Sequence, residues 1–331
     1  MPVGGRGIKY YINWLVGSTR LLWKMLRERP RVAMVSDRTI FFPLLFIAKI
    51  FGIKIINIMH VAFYSDVKNP SGIKRLLLKM DTVFLRWGSD YILGVSKDII
   101  AQSDHLCGGK APPGVAFAPQ WNRDRFDEIF DKRPSGETFS ISFLGRIEPS
   151  KGIFDLLQAF IHLRDKGYRL QLDFLGDGSA LGELRQEIAQ LGLSDLVRTH
   201  GHCARDRVID ALARTHLVVV PTRSEFVEGL NKVAIEAVLA GRPVVTSPVC
   251  QALSLIREAV FEATPDDWMS YADRIEQAMT DPLAYGRAVA AARELREQFF
   301  TPTSSIGHKL EKAFADLDLL GPRHAVEVAH A

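Results

Sequence analysis

Two rhythms of apolar positions alternate along the chain. Short continuous apolar runs read as buried strands, and longer stretches with apolar residues three and four apart read as helices. Residues 1–30 read as an opening loop and a basic amphipathic helix, "STRLLWKMLRERP", ended by Pro30. "RVAMVS", "IKIINIM" (running to His60) and "YILGVS" read as strands. Helices are expected from about Phe42 to Phe51, stopped by Gly52, over "SGIKRLLLKMDTVFLRWGSD", and from "KDIIAQS" onward. In the second of these, Ile73, Leu76, Leu77, Met80, Phe84 and Trp87 are expected to share one face toward the core.

Residues 108–138 are rich in Gly, Pro and charge around one short apolar strand, and read as a domain boundary. Beyond them the series is cleaner. The strands are "FSISFLG", "RLQLDFLG", "VRTHG", "HLVVVP" and "RPVVTS". Helices lie between them, two of them closed by Gly167 and Gly192. Further helices are expected over about Pro265–Met279, Leu283–Gln298 and Ser304–Leu317. Strand–helix alternation of this kind predicts α/β architecture with parallel sheets. The expected division is 1–133, 134–300 and a C-terminal helix and tail, 301–331, crossing back to the first domain.

Composition narrows the picture only modestly. The 331 residues include 42 Lys+Arg against 38 Asp+Glu, a net charge of +4, with no nucleic-acid motif, so no nucleic-acid partner is expected. Cys107, Cys203 and Cys250 form no CxxC pair, which fits a reducing cytoplasm and neither a disulfide framework nor a zinc site. Cys250 reads as a small residue near a strand end. The apolar region Thr39–Phe63 is broken by Pro43, Lys49, Gly52 and Lys54 and does not approach the roughly 20 residues of a membrane span. Two basic amphipathic stretches, "RLLWKMLRERPR" and Lys74–Arg86, suit an anionic membrane surface. Core packing of their apolar faces is the simpler expectation.

The candidate chemistry centres on "PTRSEFVEGLNKVAIEAVLAGRPVVTS", Pro221 to Ser247. Asn231 is a natural N-cap and Gly241 a natural stop, with Pro243 beyond it. The helix opens at the carboxyl edge of a parallel sheet, where ligands bind, and its first amides, at Leu230–Val233, suit a diphosphate. Glu228 in the loop and Glu236 in the helix can grip different hydroxyls of one elongated ligand. On spacing alone, a first-turn charge and a solvated helix residue account for the pair equally well. In "FLGRIEPSKGIFDLL", Gly145 lets a ligand approach the backbone, and Arg146 and Lys151 bracket a turn before another helix start. Two cations there suit a diphosphate leaving group, although surface cations near a turn are common.

"FLGRIEPSKG", "LDFLGDGSALGELRQEIAQLGL", "VRTHGH" and "EGLNKVAIEAVLAGRPVVTS", in that order, resemble the C-terminal domain of GT-B-fold retaining glycosyltransferases, family 4. The resemblance is close over roughly 139–250. It implies two Rossmann-like domains and a metal-independent transfer of a sugar from a nucleoside-diphosphate donor, a substrate rather than a cofactor. A carbohydrate or lipid-linked acceptor, polysaccharide or glycolipid biosynthesis, and a place in the cytoplasm or at the inner membrane face are expected with it. By resemblance Glu228 contacts the donor sugar and Glu236 the ribose. Arg146 and Lys151 hold the diphosphate, and backbone amides of Gly229, Leu230, Asn231 and Lys232 hold sugar and phosphates. The chain near Arg198–His202 lies by the base.

The N-terminal half is matched more loosely. "IKIINIMHVAF" resembles the strand ending in an active-site histidine, here His60, and "YILGVSKDII" a turn placing Ser96 at the cleft. His60 taken alone reads as a structural histidine. The family's opening strand and Gly-rich loop are not matched by "MPVGGRG", so the first one or two βα units are expected to be missing. That leaves two alternatives: a non-catalytic or partner-dependent donor-binding subunit, and another GT-B enzyme such as a nucleotide-sugar epimerase. A nicotinamide dehydrogenase is disfavoured, since no G-x-G-x-x-G follows a strand. Asp177 reads as a turn residue.

Overall fold

The computed structural model describes residues 8–36, 44–61, 73–132, 134, 137–226 and 229–320. They fall into two units, residues up to 120 with those from 301 onward, and residues 121–300.

In the first unit, β1 (Val32–Ser36), β2 (Lys54–Met59), β3 (Tyr91–Gly94) and β4 (Gly114–Ala116) form a parallel sheet in that order. Val32 stands opposite Lys54, Ile56 opposite Tyr91, and Ile92 opposite Gly114. Helices α1 (Ile8–Glu28), α2 (Leu45–Ile50) and α3 (Ile73–Gly88) each send side chains into one core. Leu22 and Met25 meet Leu45, Ala48 and Phe84 over Val35 and Ile55. α4 (Lys97–Leu106) is capped by Ser96, whose Oγ accepts from the Ile99 amide at 3.3 Å. Ser96 is fully buried and is committed to that cap rather than open to a ligand.

Two expectations are corrected here. α1 begins ten residues earlier than the stretch from Ser18, and the Ser18 and Thr19 hydroxyls bond back to the Trp14 and Val16 carbonyls, so neither caps a helix start there. On α3 only part of the apolar set is buried: Phe84 packs inward, whereas Leu76 and Trp87 are exposed.

In the second unit, the helices are α5 (Asp124–Phe130), α6 (Ile153–Asp165), α7 (Leu181–Gln190), α8 (Arg205–Arg214), α9 (Lys232–Leu239), α10 (Leu253–Ile256), α11 (Trp268–Thr280) and α12 (Pro282–Leu295). The strands are β5 (Phe139–Leu144), β6 (Leu170–Leu175), β7 (Val197–Thr199), β8 (Leu217–Val220), β9 (Val244–Thr246) and β10 (Val260–Glu262). They form one parallel sheet in the order β10-β9-β8-β5-β6-β7. β8, "LVVV", is buried at every position, as a central strand covered on both faces must be. The chain winds outward from β5 to β7, then returns to the other side of β5 for β8. The order therefore reverses between β5 and β8, which makes the carboxyl ends of those strands the switch point where open α/β sheets bind ligands.

The second unit takes up the chain at Trp121, within the stretch 108–138 that the sequence marks as a boundary. In it the guanidinium of Arg242, fully buried, donates to the carbonyls of Ile129, Leu212 and Ala213 and so ties α5 to α8. Residues 301–320 group with the first unit. There α13 (Ile306–Asp316) accepts a hydrogen bond from Tyr91 Oη to Asp316 Oδ2 at 2.8 Å. Burial and that carboxylate push the Tyr91 phenol well above its ordinary range.

Candidate functional site

The loops leaving β5, β6 and β8 pack backbone against backbone at the switch point. Gly176, after β6, has φ +145°, and a Cβ there would lie 1.7 Å from the Gly145 carbonyl oxygen. Gly152, with φ +71°, starts α6, and its Cβ would lie 1.9 Å from the Pro221 carbonyl oxygen. Only glycine permits these contacts, and they draw the loop after β5 against the loop after β8.

That closeness brings Arg146 and Lys151 together. The Arg146 guanidinium lies 5.6 Å and the Lys151 ammonium 4.1 Å from the centroid of the Phe226 ring. Two cations close to one aromatic ring gain from its quadrupole, and the ring belongs to the loop that leaves β8. Arg146 also reaches Glu148 at 3.4 Å in an exposed pair. The loop carrying Phe226 is anchored twice. Arg223 holds both Asp155 carboxylate oxygens, at 3.0 and 2.9 Å, and Asp266 accepts from the Ser224 amide and hydroxyl.

Val227 and Glu228, the latter expected to contact the donor sugar, lie outside the described residues. Gly229 and Leu230 are half-buried, and Asn231 caps α9, its Oδ1 accepting from the Ala234 amide at 3.0 Å. The Lys232 and Val233 amides, in the first turn, have no intrahelical acceptor.

Glu236 is the residue the structure clarifies most. It is not a solvated helix residue: its side chain is 10% exposed. One oxygen, Oε1, accepts from Arg205 Nη1 at 2.6 Å and from Trp121 Nε1 at 3.1 Å. Trp121 is held by its amide bonding to the Phe299 carbonyl and by its ring meeting Phe299 edge-on. Sequence reasoning passed over Trp121, Arg205 and Phe226. Their signal was weak: an aromatic in a polar, Pro-containing segment, an arginine in a helical first turn, and a loop phenylalanine.

At the ends of β6 and β7, His200 Nε2 meets Asp173 Oδ1 at 2.6 Å, and Arg207 approaches His200 Nδ1 at 3.3 Å. Asp177 is a turn residue, its carboxylate accepting from the Gly178 amide. In the first unit, His60 Nδ1 lies 3.3 Å from Ser36 Oγ and its ring meets Phe117 edge-on. Among the described residues there is no group of three or more His, Cys, Asp or Glu side chains suited to a metal ion, and no helix long and apolar enough to cross a membrane.

Residues 124–295 match the family model of "Glycosyl transferases group 1". A D-inositol 3-phosphate glycosyltransferase of Streptomyces bingchenggensis is 30% identical over 240 residues, 64% of this chain and 51% of the relative. A 2-deoxystreptamine glucosyltransferase of Streptomyces kanamyceticus is 27% identical over 163 residues, 48% of this chain and 41% of the relative. The chain thus spans about half the length of these curated relatives. Among solved structures, Anabaena HepE in complex with UDP matches with TM-score 0.71 at 16% identity, over 89% of this chain and 82% of that one. Sucrose-phosphate synthase from Thermosynechococcus elongatus matches with TM-score 0.73 at 17% identity, over 96% and 82%. The α/β fold with two parallel sheets is the fold of these GT-B neighbours.

Proposed function

Because the chain belongs to the group 1 glycosyl transferases, we propose that it moves a sugar from a nucleoside-diphosphate donor to an acceptor hydroxyl with retention at the anomeric carbon. The observation that carries the reading is the convergence of Arg146 and Lys151 on the ring of Phe226, in the loop that leaves β8 at the switch point. A diphosphate there meets two cations and the open amides of a helix start.

In this reading the bond from the anomeric carbon to the phosphate oxygen breaks while a bond to the acceptor oxygen forms on the same face. The acceptor's proton passes to the departing phosphate, so no side chain need act as base. Arg146 and Lys151 stabilise charge that grows only as that bond breaks, which is where stabilisation accelerates the reaction. The amides of Gly229, Leu230, Asn231 and Lys232 orient the donor. Glu236 receives the ribose through the oxygen that Arg205 and Trp121 do not occupy. Glu228 is assigned to the sugar hydroxyls and His60 to the transferred sugar on the family resemblance alone. UDP, bound by HepE, is the first nucleotide to test. A carbohydrate or lipid-linked acceptor, in polysaccharide or glycolipid biosynthesis, fits the family.

The test is donor turnover by the purified chain, with Arg146→Ala and Glu228→Ala beside it. Transfer or donor hydrolysis that falls in both variants supports the assignment. Normal turnover in both overturns the site. Donor binding without turnover selects the partner-dependent subunit, and a product epimerised in its sugar selects the epimerase.

A further inference from the structure

Three consecutive helices of the first unit each expose apolar side chains. α1 packs against α2 and α2 against α3. Their buried residues, Leu22, Met25, Leu45, Ala48 and Phe84, face the same core. On α1, Ile12, Val16 and Trp23 fall within about 40° of one another around the helix and about 130° from the buried stripe. Trp23 is 64% exposed. On α3, Leu76, Val83 and Trp87 fall within about 40° of one another in the same manner, and Trp87 is 62% exposed. Between them, α2 offers Ile50, 81% exposed, and Phe51 follows it, also exposed. An open groove of about 740 Å³ beside Thr19, Trp23 and Arg27 is lined, among the described residues, by α1 alone.

The charges on these helices are not balanced as they are over the whole chain. α1 and α3 together carry eight Lys and Arg against one Asp and one Glu. Arg20 and Arg27 run along one edge of the α1 stripe, and Lys79 and Arg86 along one edge of the α3 stripe. Arg27 lies over the Trp23 ring at 5.4 Å and Arg86 over the Trp87 ring at 4.9 Å. An interface with another protein is enriched in aromatics and arginine but depleted of lysine, whereas α1 and α3 carry Lys9, Lys24, Lys74 and Lys79. Tryptophan, branched aliphatics and flanking cations on one helical face match the boundary of a bilayer instead, with rings at headgroup depth and cations toward anionic phosphates.

We propose that the outer faces of α1, α2 and α3 dock on an anionic phospholipid bilayer without crossing it. The inference is independent of the donor-site reading, since it uses none of that site's residues. Each basic residue near an anionic surface raises binding by about fivefold, so a few of them together with two tryptophans suffice for reversible attachment.

The test is co-sedimentation of the intact chain with vesicles of phosphatidylcholine alone and of phosphatidylcholine with one third phosphatidylglycerol. Binding is expected to be at least about tenfold stronger to the anionic vesicles and to weaken in high salt. Trp23→Ser with Trp87→Ser, and separately Arg20→Gln with Arg27→Gln, are each expected to lower it at least about tenfold. Far-UV circular dichroism and the thermal midpoint of both variants are expected to match the wild type, which certifies that the first unit is folded. Tryptophan emission is expected to shift to shorter wavelength on anionic vesicles. Absence of vesicle binding by the wild type overturns the proposal. So does sedimentation as a dimer that the tryptophan variants dissociate, which would make a second copy the occupant, and so does binding that the variants leave unchanged.

Discussion

Glu236 is held on one oxygen by two donors, and that arrangement has a measurable consequence for ribose recognition. Trp121→Phe removes the 3.1 Å indole bond and keeps a ring against Phe299. Arg205→Met removes the 2.6 Å guanidinium bond and keeps an aliphatic stem beside Phe126. With either donor absent, the ligand must order more of the carboxylate itself. Fixing a free Glu side chain costs up to about 2 kcal/mol. Glu236 is already confined by burial, and Arg205 is 42% exposed and solvent-screened. Each single variant should therefore weaken ribose-dependent affinity by about 1 kcal/mol, or about fivefold. The double variant should lose more than the two combined, because both donors serve one atom and its neighbour groups would leave a buried carboxylate unpaired.

The assay is calorimetric binding of UDP and of its 2′,3′-dideoxy analogue to wild type, both single variants, the double variant and Glu236→Ala. The ratio of the two affinities isolates the ribose hydroxyls. It should fall toward one along the series, and most in Glu236→Ala. Equal losses for both ligands would mean that Trp121 and Arg205 serve only the fold. An unchanged ratio in Glu236→Ala would refute the ribose assignment itself.

Three further outcomes are expected. Gly152→Ala should destabilise the second unit by at least about 3 kcal/mol, read as a lowered denaturation midpoint, because its Cβ would lie 1.9 Å from the Pro221 carbonyl oxygen at a φ of +71°; wild-type stability would contradict the loop packing. His216 is held below the ordinary histidine range by burial and by Arg242. A base with a lowered folded pKa takes up more protons when unfolded, so stability should be level above about pH 6.5 and fall as pH drops below it. His216→Asn, followed by thermal melts across pH 5 to 7, should remove that part of the slope. Asp155→Ala should release Arg223 and with it the loop bearing Phe226. Nucleoside diphosphate affinity should drop about tenfold while free nucleoside binds as before, both read by calorimetry.

Much of the second unit was legible because its strands are unbroken apolar runs and its helices end at glycines. β8 and α9 are the clearest cases, the first buried throughout and the second capped by Asn231. The three-residue β10 left too short a pattern to stand out. α5 was read as linker from its composition, since its attachment depends on Arg242, a residue more than a hundred positions away. The face of α3 was misjudged for a related reason. Periodicity shows that a helix has an apolar stripe, but α3 carries apolar residues on two sides, and only packing decides which is covered. At the site, Arg146, Lys151 and Glu236 were visible by type and position. Trp121 and Arg205 were not, because they meet Glu236 only through the fold.

The central claim is that a nucleoside diphosphate sits at the carboxyl edge between β5 and β8, its phosphates on Arg146 and Lys151. The most direct measurement is calorimetric titration of UDP, GDP and ADP, and of the matching nucleosides, into wild type and the Arg146→Ala, Lys151→Ala double variant. At least one diphosphate should bind the wild type and lose at least about tenfold in the variant, while its nucleoside binds both alike. No binding by any diphosphate, or equal affinity for wild type and variant, would contradict the account.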